Sequence, residues 1–168
     1  MAETTVPQET KPSLEKEEAM KNAMTGAFGD KVRDIQIKRE RRLFATVSPD
    51  DLIPVMKKLH DDFSMLHLSS ITGSDVGDKL DALYHLFDDR TLLTIRVSAP
   101  KAAPSIPTVS EIFPAGVFYE KELESMLGFT VVGLPPGRKY PVFDDWDGAV
   151  FPLRKDFVPP PDPDTVKG

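Results

Sequence analysis

The sequence predicts an α+β fold: a small mixed or antiparallel sheet of about five strands, three helices and a long irregular C-terminal extension. Five strand-like apolar runs, separated by charged or glycine-containing turns, predict the sheet. Three runs with apolar residues at three- and four-residue spacing predict the helices. Of the 16 prolines, 12 lie between Pro100 and Pro163. Because proline fixes φ and lacks an N–H donor, that stretch cannot form a continuous helix or a central strand.

These patterns divide the chain into three parts. Residues 1–12 are polar and predict a disordered lead-in. Residues 13–100 predict the α+β domain. Residues 101–168 predict the third helix followed by an extended segment that wraps over a partner, because the segment carries many aromatic residues and disordered segments are poor in them.

The expected helices end at recognisable boundary residues. They run from Ser13 to about Phe28, from Asp50 or Asp51 to about Phe63, and from Pro114 or Ala115 to Leu127. Ser13 and either aspartate are suitable N-caps, and Gly29 and Gly128 suit the left-handed position after a helix.

The expected strands cover residues 32–38, 43–47, 65–71, 80–87 and 92–97. Residues 99–107 predict a proline-broken loop, and no regular element of any length is expected after Gly133.

The composition excludes several classes of site. The chain has no cysteine, which excludes a disulfide framework, a thiolate zinc site, a cysteine-ligated iron–sulfur cluster and a cysteine nucleophile. A net charge of −6 is unfavourable for binding nucleic acid. No segment approaches the ~18–20 apolar residues of a membrane span, and the N-terminus lacks the apolar core of a signal peptide.

The acidic cluster Asp144-Asp145-Trp146-Asp147 is the best candidate for a freestanding enzyme site. Paired carboxylates could bind Mg²⁺ or Ca²⁺, or divide acid and base roles in a hydrolase. The alternative is a polar turn in which Trp146 is an anchor buried against the core or a partner. His60, His67 and His85 have no second histidine at ligand spacing, and glycine-rich phosphate motifs are absent.

Motifs in the C-terminal third resemble a known family. They are Tyr119-Glu120-Lys121-Glu122, Gly128-Phe129, Gly133, Asp144-Asp145-Trp146-Asp-Gly148 and Pro152-Leu153-Arg154-Lys155-Asp156-Phe157. Their order and spacing resemble those of the 30-kilodalton subunit of respiratory complex I. That family also includes subunits of energy-converting membrane-bound NiFe hydrogenases, formate hydrogenlyase and related dehydrogenases.

The sequence departs from the family pattern at three places. Lys121 and Ser125 stand where the family usually has Arg and Asp, and Gly133-Leu-Pro-Pro-Gly-Arg138 replaces a G-H-P-D-L-R-R stretch. A lysine cannot make the bidentate contact of an arginine. These departures resemble the hydrogenase branch more than the NADH branch.

The resemblance implies a cofactor-free hydrophilic subunit of a complex-I-like oxidoreductase, at the cytoplasmic side of the membrane and peripheral to it. Its partners would be a hydrogenase-like large subunit and an iron–sulfur small subunit, which would hold the iron–sulfur clusters and, in hydrogenases, a NiFe centre. The chain would contact the membrane arm only indirectly. It would bind no nucleic acid and would not span the membrane.

The resemblance also implies a subunit interface on the motif residues. Arg154 and Lys155 would pair with partner carboxylates or carbonyls, and Trp146 would fill a partner pocket; internally, Arg154 could instead pair with Asp156. The implied interface comprises Tyr119, Glu120, Lys121, Glu122, Gly128, Gly133, Arg138, Asp144, Asp145, Trp146, Pro152, Leu153, Arg154, Lys155, Asp156 and Phe157. The two alternatives to this subunit are a freestanding metal-dependent hydrolase that uses Asp144 and Asp145, and a non-redox adaptor protein.

Overall fold

The computed structural model describes residues 14–143 and 145–159. In that part of the chain three α-helices accompany seven strands. The helices are α1 (Glu15–Phe28), α2 (Leu52–Phe63) and α3 (Gly116–Glu122), and the strands are β1 (Val32–Arg39), β2 (Arg42–Val47), β3 (His67–Asp75), β4 (Lys79–Phe87), β5 (Leu92–Pro100), β6 (Ser105–Pro107) and β7 (Thr130–Val132).

A five-stranded sheet forms the centre of the fold, in the order β1-β2-β5-β4-β3. Short turns make the β1–β2, β3–β4 and β4–β5 pairs antiparallel. Strand β5 then lies beside β2, and this pair is parallel. The α+β prediction of a mixed sheet with three helices is therefore confirmed.

The core lies on one face of this sheet. Alternate residues of β2 and β5, such as Leu43, Ala45 and Ile95, are buried there with Met24 of α1 and Met56 of α2. On the opposite face, side chains of the same strands such as Phe44 are only half-buried and lie outside the core cluster. The sheet thus has a packed face and an open face, as antiparallel sheets commonly do.

The start of α2 differs from the prediction, and that of α1 is not tested. Ser13 lies outside the described residues, and neither Asp50 nor Asp51 caps α2. Instead, the side chain of Ser48 accepts a hydrogen bond from the Asp51 N–H at 3.3 Å and begins a 3₁₀ turn over Pro49–Asp51. Proline is favoured at the first helical position, so this turn starts immediately after Ser48, and α2 continues from it.

The third helix ends as predicted, although its last turn is wider than an α-helix. After α3 the chain forms a π-helical turn over Leu123–Leu127, and Gly128 follows with φ of 75°. Leu123 and Leu127 lie against Gly73 of β3, where an added Cβ would come within 2.7 and 2.1 Å of their side chains. Strand β3 therefore continues through Gly73 to Asp75, beyond the predicted end at residue 71, and the helix packs on this part of it.

The small parallel pair of β6 and β7 was not predicted. The expectation of a loop is wrong for Ser105–Pro107, because three-residue strands are too short to show alternation and one of them ends in proline. As predicted, the described residues after Gly133 contain no helix or strand.

We predict that Tyr84→Phe leaves the free energy of unfolding unchanged or raises it by up to about 1 kcal/mol. The Tyr84 ring is fully buried on β4, but its hydroxyl has no hydrogen-bond partner in the described structure. Removing this hydroxyl removes an unsatisfied polar group, whereas Tyr84→Ala should cost about 3–5 kcal/mol by leaving a cavity. Urea denaturation of both variants would check this, and a clear loss of stability in Tyr84→Phe would show that the hydroxyl is bonded.

Candidate subunit interface

Glu120 is the most deeply buried of the predicted interface residues that the structure describes. It is fully buried on α3 and accepts hydrogen bonds from the Val109 N–H at 2.7 Å and the Thr108 hydroxyl at 2.5 Å. Burial raises the pKa of this carboxyl group, while the two hydrogen bonds act in the opposite direction. Glu120 therefore fastens the loop after β6 to α3.

The neighbouring motif residues are at the surface of α3. The Tyr119 hydroxyl donates to the Ser69 carbonyl at 3.0 Å, and so caps a free group on the edge of β3. The Lys121 ammonium donates to the Pro135 carbonyl at 3.1 Å. Glu122 is half-buried, and its carboxylate forms no ion pair among the described residues. Gly133 follows β7 and is exposed.

The segment 145–159, called the strap below, is attached to the end of the third helix. The Leu153 N–H donates to the Met126 carbonyl at 3.0 Å, and the Arg154 Nε donates to the Leu127 carbonyl at 2.7 Å. The last carbonyls of a helix lack partners within the helix, and a cation is favourable at that end. Arg154 supplies both a donor and a cation, and its guanidinium also lies 4.4 Å from the centre of the Phe151 ring.

Gly128 makes this attachment possible. Gly128 has a positive φ. In addition, an added Cβ at this residue would lie 2.6 Å from Phe151 and 2.7 Å from the Arg154 guanidinium. Any larger residue must therefore displace the two side chains that hold the strap.

A second attachment joins the strap to the sheet through Asp75, which the sequence does not single out. The Asp75 side chain is 1% exposed at the end of β3 and accepts from the Lys101 ammonium at 2.8 Å. It also accepts from the N–H groups of Gly77 at 2.9 Å and Lys155 at 3.0 Å. Lys101 in turn pairs with Asp156 at 3.1 Å. The partner of Asp156 is therefore Lys101, and Arg154 bonds to the Leu127 carbonyl instead.

Lys101 changes the pKa values of the two carboxyl groups that it contacts, Asp75 and Asp156. Its hydrogen bond is the largest cause that holds the pKa of Asp75 far below the usual range, and it also lowers the pKa of Asp156. The pKa of Lys101 is raised in return. All three groups are thus held in their charged forms at neutral pH.

The structure describes the acidic cluster from Asp145 onward, where the chain turns. Asp144 lies outside the described residues, and Asp145 is exposed. Trp146 is half-buried, and its indole N–H donates to the Val150 carbonyl at 3.0 Å. Asp147 accepts from the Ala149 N–H. Among residues 14–143 and 145–159, no group of three or more histidine or acidic side chains is placed to hold a metal ion.

Two cavities are lined by residues of the predicted interface, and a third lies elsewhere on the molecule. A cavity of about 220 Å³ brings together Lys121, Arg138 and Trp146 with Lys139, whose ammonium donates to the Trp146 carbonyl. A second, of about 330 Å³, lies along the strap from Ala149 to Val158. A third, of about 920 Å³, lies between α1 and the turns of the sheet and contains none of the predicted interface residues.

The exposed hydrophobic side chains concentrate on α3 and the segments after it. Of nine large hydrophobic residues that are exposed in the described structure, six lie in this region. They are Phe118, Val132, Tyr140, Phe143, Leu153 and Val158. Phe118 and Tyr140 also contact each other edge to face. Pro152 and Phe157 are half-buried, whereas Lys155 is exposed. The strap is thus held to the rest of the chain by polar contacts, and it exposes the apolar side chains of Leu153 and Val158.

We predict that Gly128→Ala loosens the strap without unfolding the sheet. The added methyl group must displace Phe151 and Arg154, and the positive φ adds strain. Trypsin should therefore cleave at Arg154 and Lys155 faster than in the wild type. Gly26→Ala is the matched control, because nothing lies within 4 Å of that position in α1 and alanine favours a helix. Equal cleavage rates in all three proteins would contradict this account.

We also predict that acid releases the strap. The pKa values of Asp75 and Asp156 are lowered by folding, so the stabilisation is present above the unfolded value of about 4 and is lost as pH falls below it. The fluorescence of Trp146, the only tryptophan, should report this transition. In Lys101→Met the midpoint should move to higher pH, because the main cause of the lowered pKa of Asp75 is removed. An unchanged midpoint in that variant would contradict the assignment.

The comparisons with known proteins cover this part of the chain and most of the sheet before it. The family model described as "Respiratory-chain NADH dehydrogenase, 30 Kd subunit" matches residues 45–163. A subunit of the NADH-quinone oxidoreductase of Chloroherpeton thalassium is 31% identical over 136 residues, which are 77% of this chain and 56% of that protein. The beta subunit of the membrane-bound hydrogenase of Pyrococcus furiosus is 33% identical over 120 residues, which are 68% of this chain and 69% of that protein.

The chain thus spans little more than half of the first relative and about two thirds of the second. A chain in the solved structure of the membrane-bound sulfane sulfur reductase, an archaeal respiratory membrane complex, has the same fold. The TM-score is 0.72 over 86% of both chains, at 24% identity. Within the described residues, no helix combines the length and apolar composition needed to cross a bilayer. The resemblance of the C-terminal motifs is confirmed, and the chain belongs to the family of the 30-kilodalton subunit of the respiratory-chain NADH dehydrogenase.

Proposed function

We propose that this chain is a cofactor-free hydrophilic subunit of a membrane-bound, complex-I-like oxidoreductase. It assembles with a hydrogenase-like large subunit and an iron–sulfur small subunit at the cytoplasmic side, and reaches the membrane arm only through them. The observation that carries the proposal is the strap, which displays Leu153 and Val158 at 51% and 81% exposure, while Phe143, just before it in the chain, is 75% exposed. Clustered exposed hydrophobic side chains mark surfaces that bind other proteins.

The internal attachments of the strap support this role. A segment that is ordered before binding loses less conformational freedom when the partner docks. The N–H of Lys155 is bonded to Asp75, and the N–H of Leu153 and the side chain of Arg154 are bonded to the end of the third helix. Leu153 is therefore presented in a defined position. The exposed Lys155 side chain is available to meet a partner carboxylate, while its N–H is bonded to Asp75.

The chemistry of the chain and of its relatives supports the redox setting. Without cysteine, this chain supplies no thiolate for an iron–sulfur cluster, so the clusters would reside in the partner subunits. The relatives include a subunit of NADH-quinone oxidoreductase and a subunit of a membrane-bound hydrogenase. In a hydrogenase complex, the large subunit would also hold a NiFe centre.

We predict that Leu153→Ser reduces the amount of partner subunits recovered with the tagged chain at least tenfold, since interface anchors can contribute ~2 kcal/mol or more and each ~1.4 kcal/mol is a factor of ten. The chain would be purified from detergent-solubilised membranes, and iron and nickel would be measured in the eluate. Leu66→Ser is the matched control, because Leu66 is similarly exposed, at 55%, but lies before β3 and outside the strap. Both variants should keep the wild-type unfolding transition.

Two outcomes would count against the proposal. If the wild-type chain elutes alone from the soluble fraction, the family fold serves another purpose and the carboxylates near Trp146 should be screened for hydrolase activity. If it elutes with partners that contain neither iron nor nickel, the chain is a non-redox adaptor.

A further inference from the structure

The open face of the sheet carries a concentration of positive charge at the end opposite to the strap. Its pairing register places Arg33 opposite Thr46, Gln36 opposite Phe44, and Thr46 beside Arg96. Residues paired in this way point to the same side of a sheet. We call this area the cationic face; it comprises Phe44, Thr46 and the five cations Arg33, Lys38, Arg39, Arg42 and Arg96.

The centre of the cationic face is an aromatic ring between two cations. The Lys38 ammonium lies 5.6 Å from the centre of the Phe44 ring, and the Arg96 guanidinium lies 5.5 Å from it. Arg96 donates from one Nη to the Thr46 hydroxyl at 3.0 Å, while its buried Nε has no partner in the described structure. Phe44 is half-buried, so its ring and the Arg96 guanidinium are held in place against the sheet.

These five cations have no acidic partner within the part of the chain that the structure describes. None of them forms an ion pair with another described residue. The buried acid Asp81 is at the far end of β4 and accepts from the Ser98 hydroxyl. The positive charge of Arg42 also contributes, after burial, to lowering the pKa of His85 on the same sheet. In a chain with a net charge of −6, such a face is complementary to a negatively charged surface.

We propose that the cationic face binds an acidic segment of a neighbouring polypeptide in the assembled complex. This inference rests on the proposed function and adds a second contact surface, because β1 and β2 lie at the other end of the sheet from β3, where the strap is attached. Carboxylates of the segment pair with Arg33, Arg39 and Arg42, and an apolar side chain of the segment covers Phe44.

A polypeptide fits this face better than a lipid surface does. Membrane binding by basic residues uses long side chains that reach the headgroups together. Here Arg96 lies over Phe44 and is bonded to Thr46, so its guanidinium is held against the sheet and an aromatic ring lies among the cations. Aromatic residues and arginine are both enriched at protein interfaces.

The test is zero-length carbodiimide coupling in the purified complex, which joins lysine amines to carboxylates that are in contact with them. Lys38 should couple to an aspartate or glutamate of a co-purified subunit, and the linked peptides would be identified by mass spectrometry. Lys38→Arg is the matched control, because it keeps the charge but loses the amine; the link should vanish while the complex stays intact. Lys57, exposed on α2, should stay uncoupled to that subunit.

Charge reversal provides the quantitative measurement. The double variant Arg39→Glu with Arg42→Glu should reduce the recovery of that subunit about tenfold, and more at low salt than at high salt. Lys16→Glu with Lys57→Glu is the control, since it makes the same change in net charge at exposed residues of α1 and α2. It should recover the subunit at the wild-type level.

Several results would overturn the inference. If redox subunits are recovered but Lys38 is uncoupled and charge reversal has no effect, the cationic face is not an interface, although the proposed function stands. Coupling of Lys38 to a second copy of this chain would make the face a self-association surface. Binding to phosphatidylserine-containing vesicles that charge reversal abolishes, without any loss of subunits, would assign it to the membrane. If no subunit is recovered with the wild type, both the inference and the proposed function fail.

Discussion

The Asp75 carboxylate is the point through which the C-terminal part of the chain is joined to the sheet. Three donors surround it: an N–H from its own turn, the ammonium of Lys101 and the N–H of Lys155, which is 80 residues away. A buried carboxylate without such donors would be strongly unfavourable, and removing one partner of a buried pair is costly. The position of the strap therefore depends on this buried carboxylate and its donors.

The remaining features follow from that attachment. Once Lys155 is held, Arg154 can reach the last carbonyls of the third helix, but only because Gly128 leaves room for its guanidinium and for Phe151. Glu120 holds the loop after β6 to α3 from the inside. Polar motif residues such as Glu120 and Arg154 are thus used within the chain, whereas Leu153 is exposed. This division suits a subunit whose own structure must be complete before a partner docks.

Local patterns in the sequence were sufficient for most of the sheet, for α1 and α2, and for the end of the third helix at Gly128. They failed where a contact is distant in sequence. Gly73 lies within β3 under Leu127, beyond the predicted end of that strand, and the partners of Asp75, Lys101 and Lys155, are far along the chain. The motif resemblance identified the family, whereas the bond between Arg154 and the Leu127 carbonyl requires the folded structure.

Amide hydrogen exchange in the isolated chain tests the central claim most directly. If the strap is attached before any partner binds, the N–H groups of Leu153, Lys155 and Phe157 should be protected, because each donates to a defined acceptor. In Lys101→Met the protection of Lys155 should fall most, since Asp75 loses its cationic partner. Exchange of all three amides at the rate of an unstructured peptide, with protection appearing only in the complex, would contradict the account.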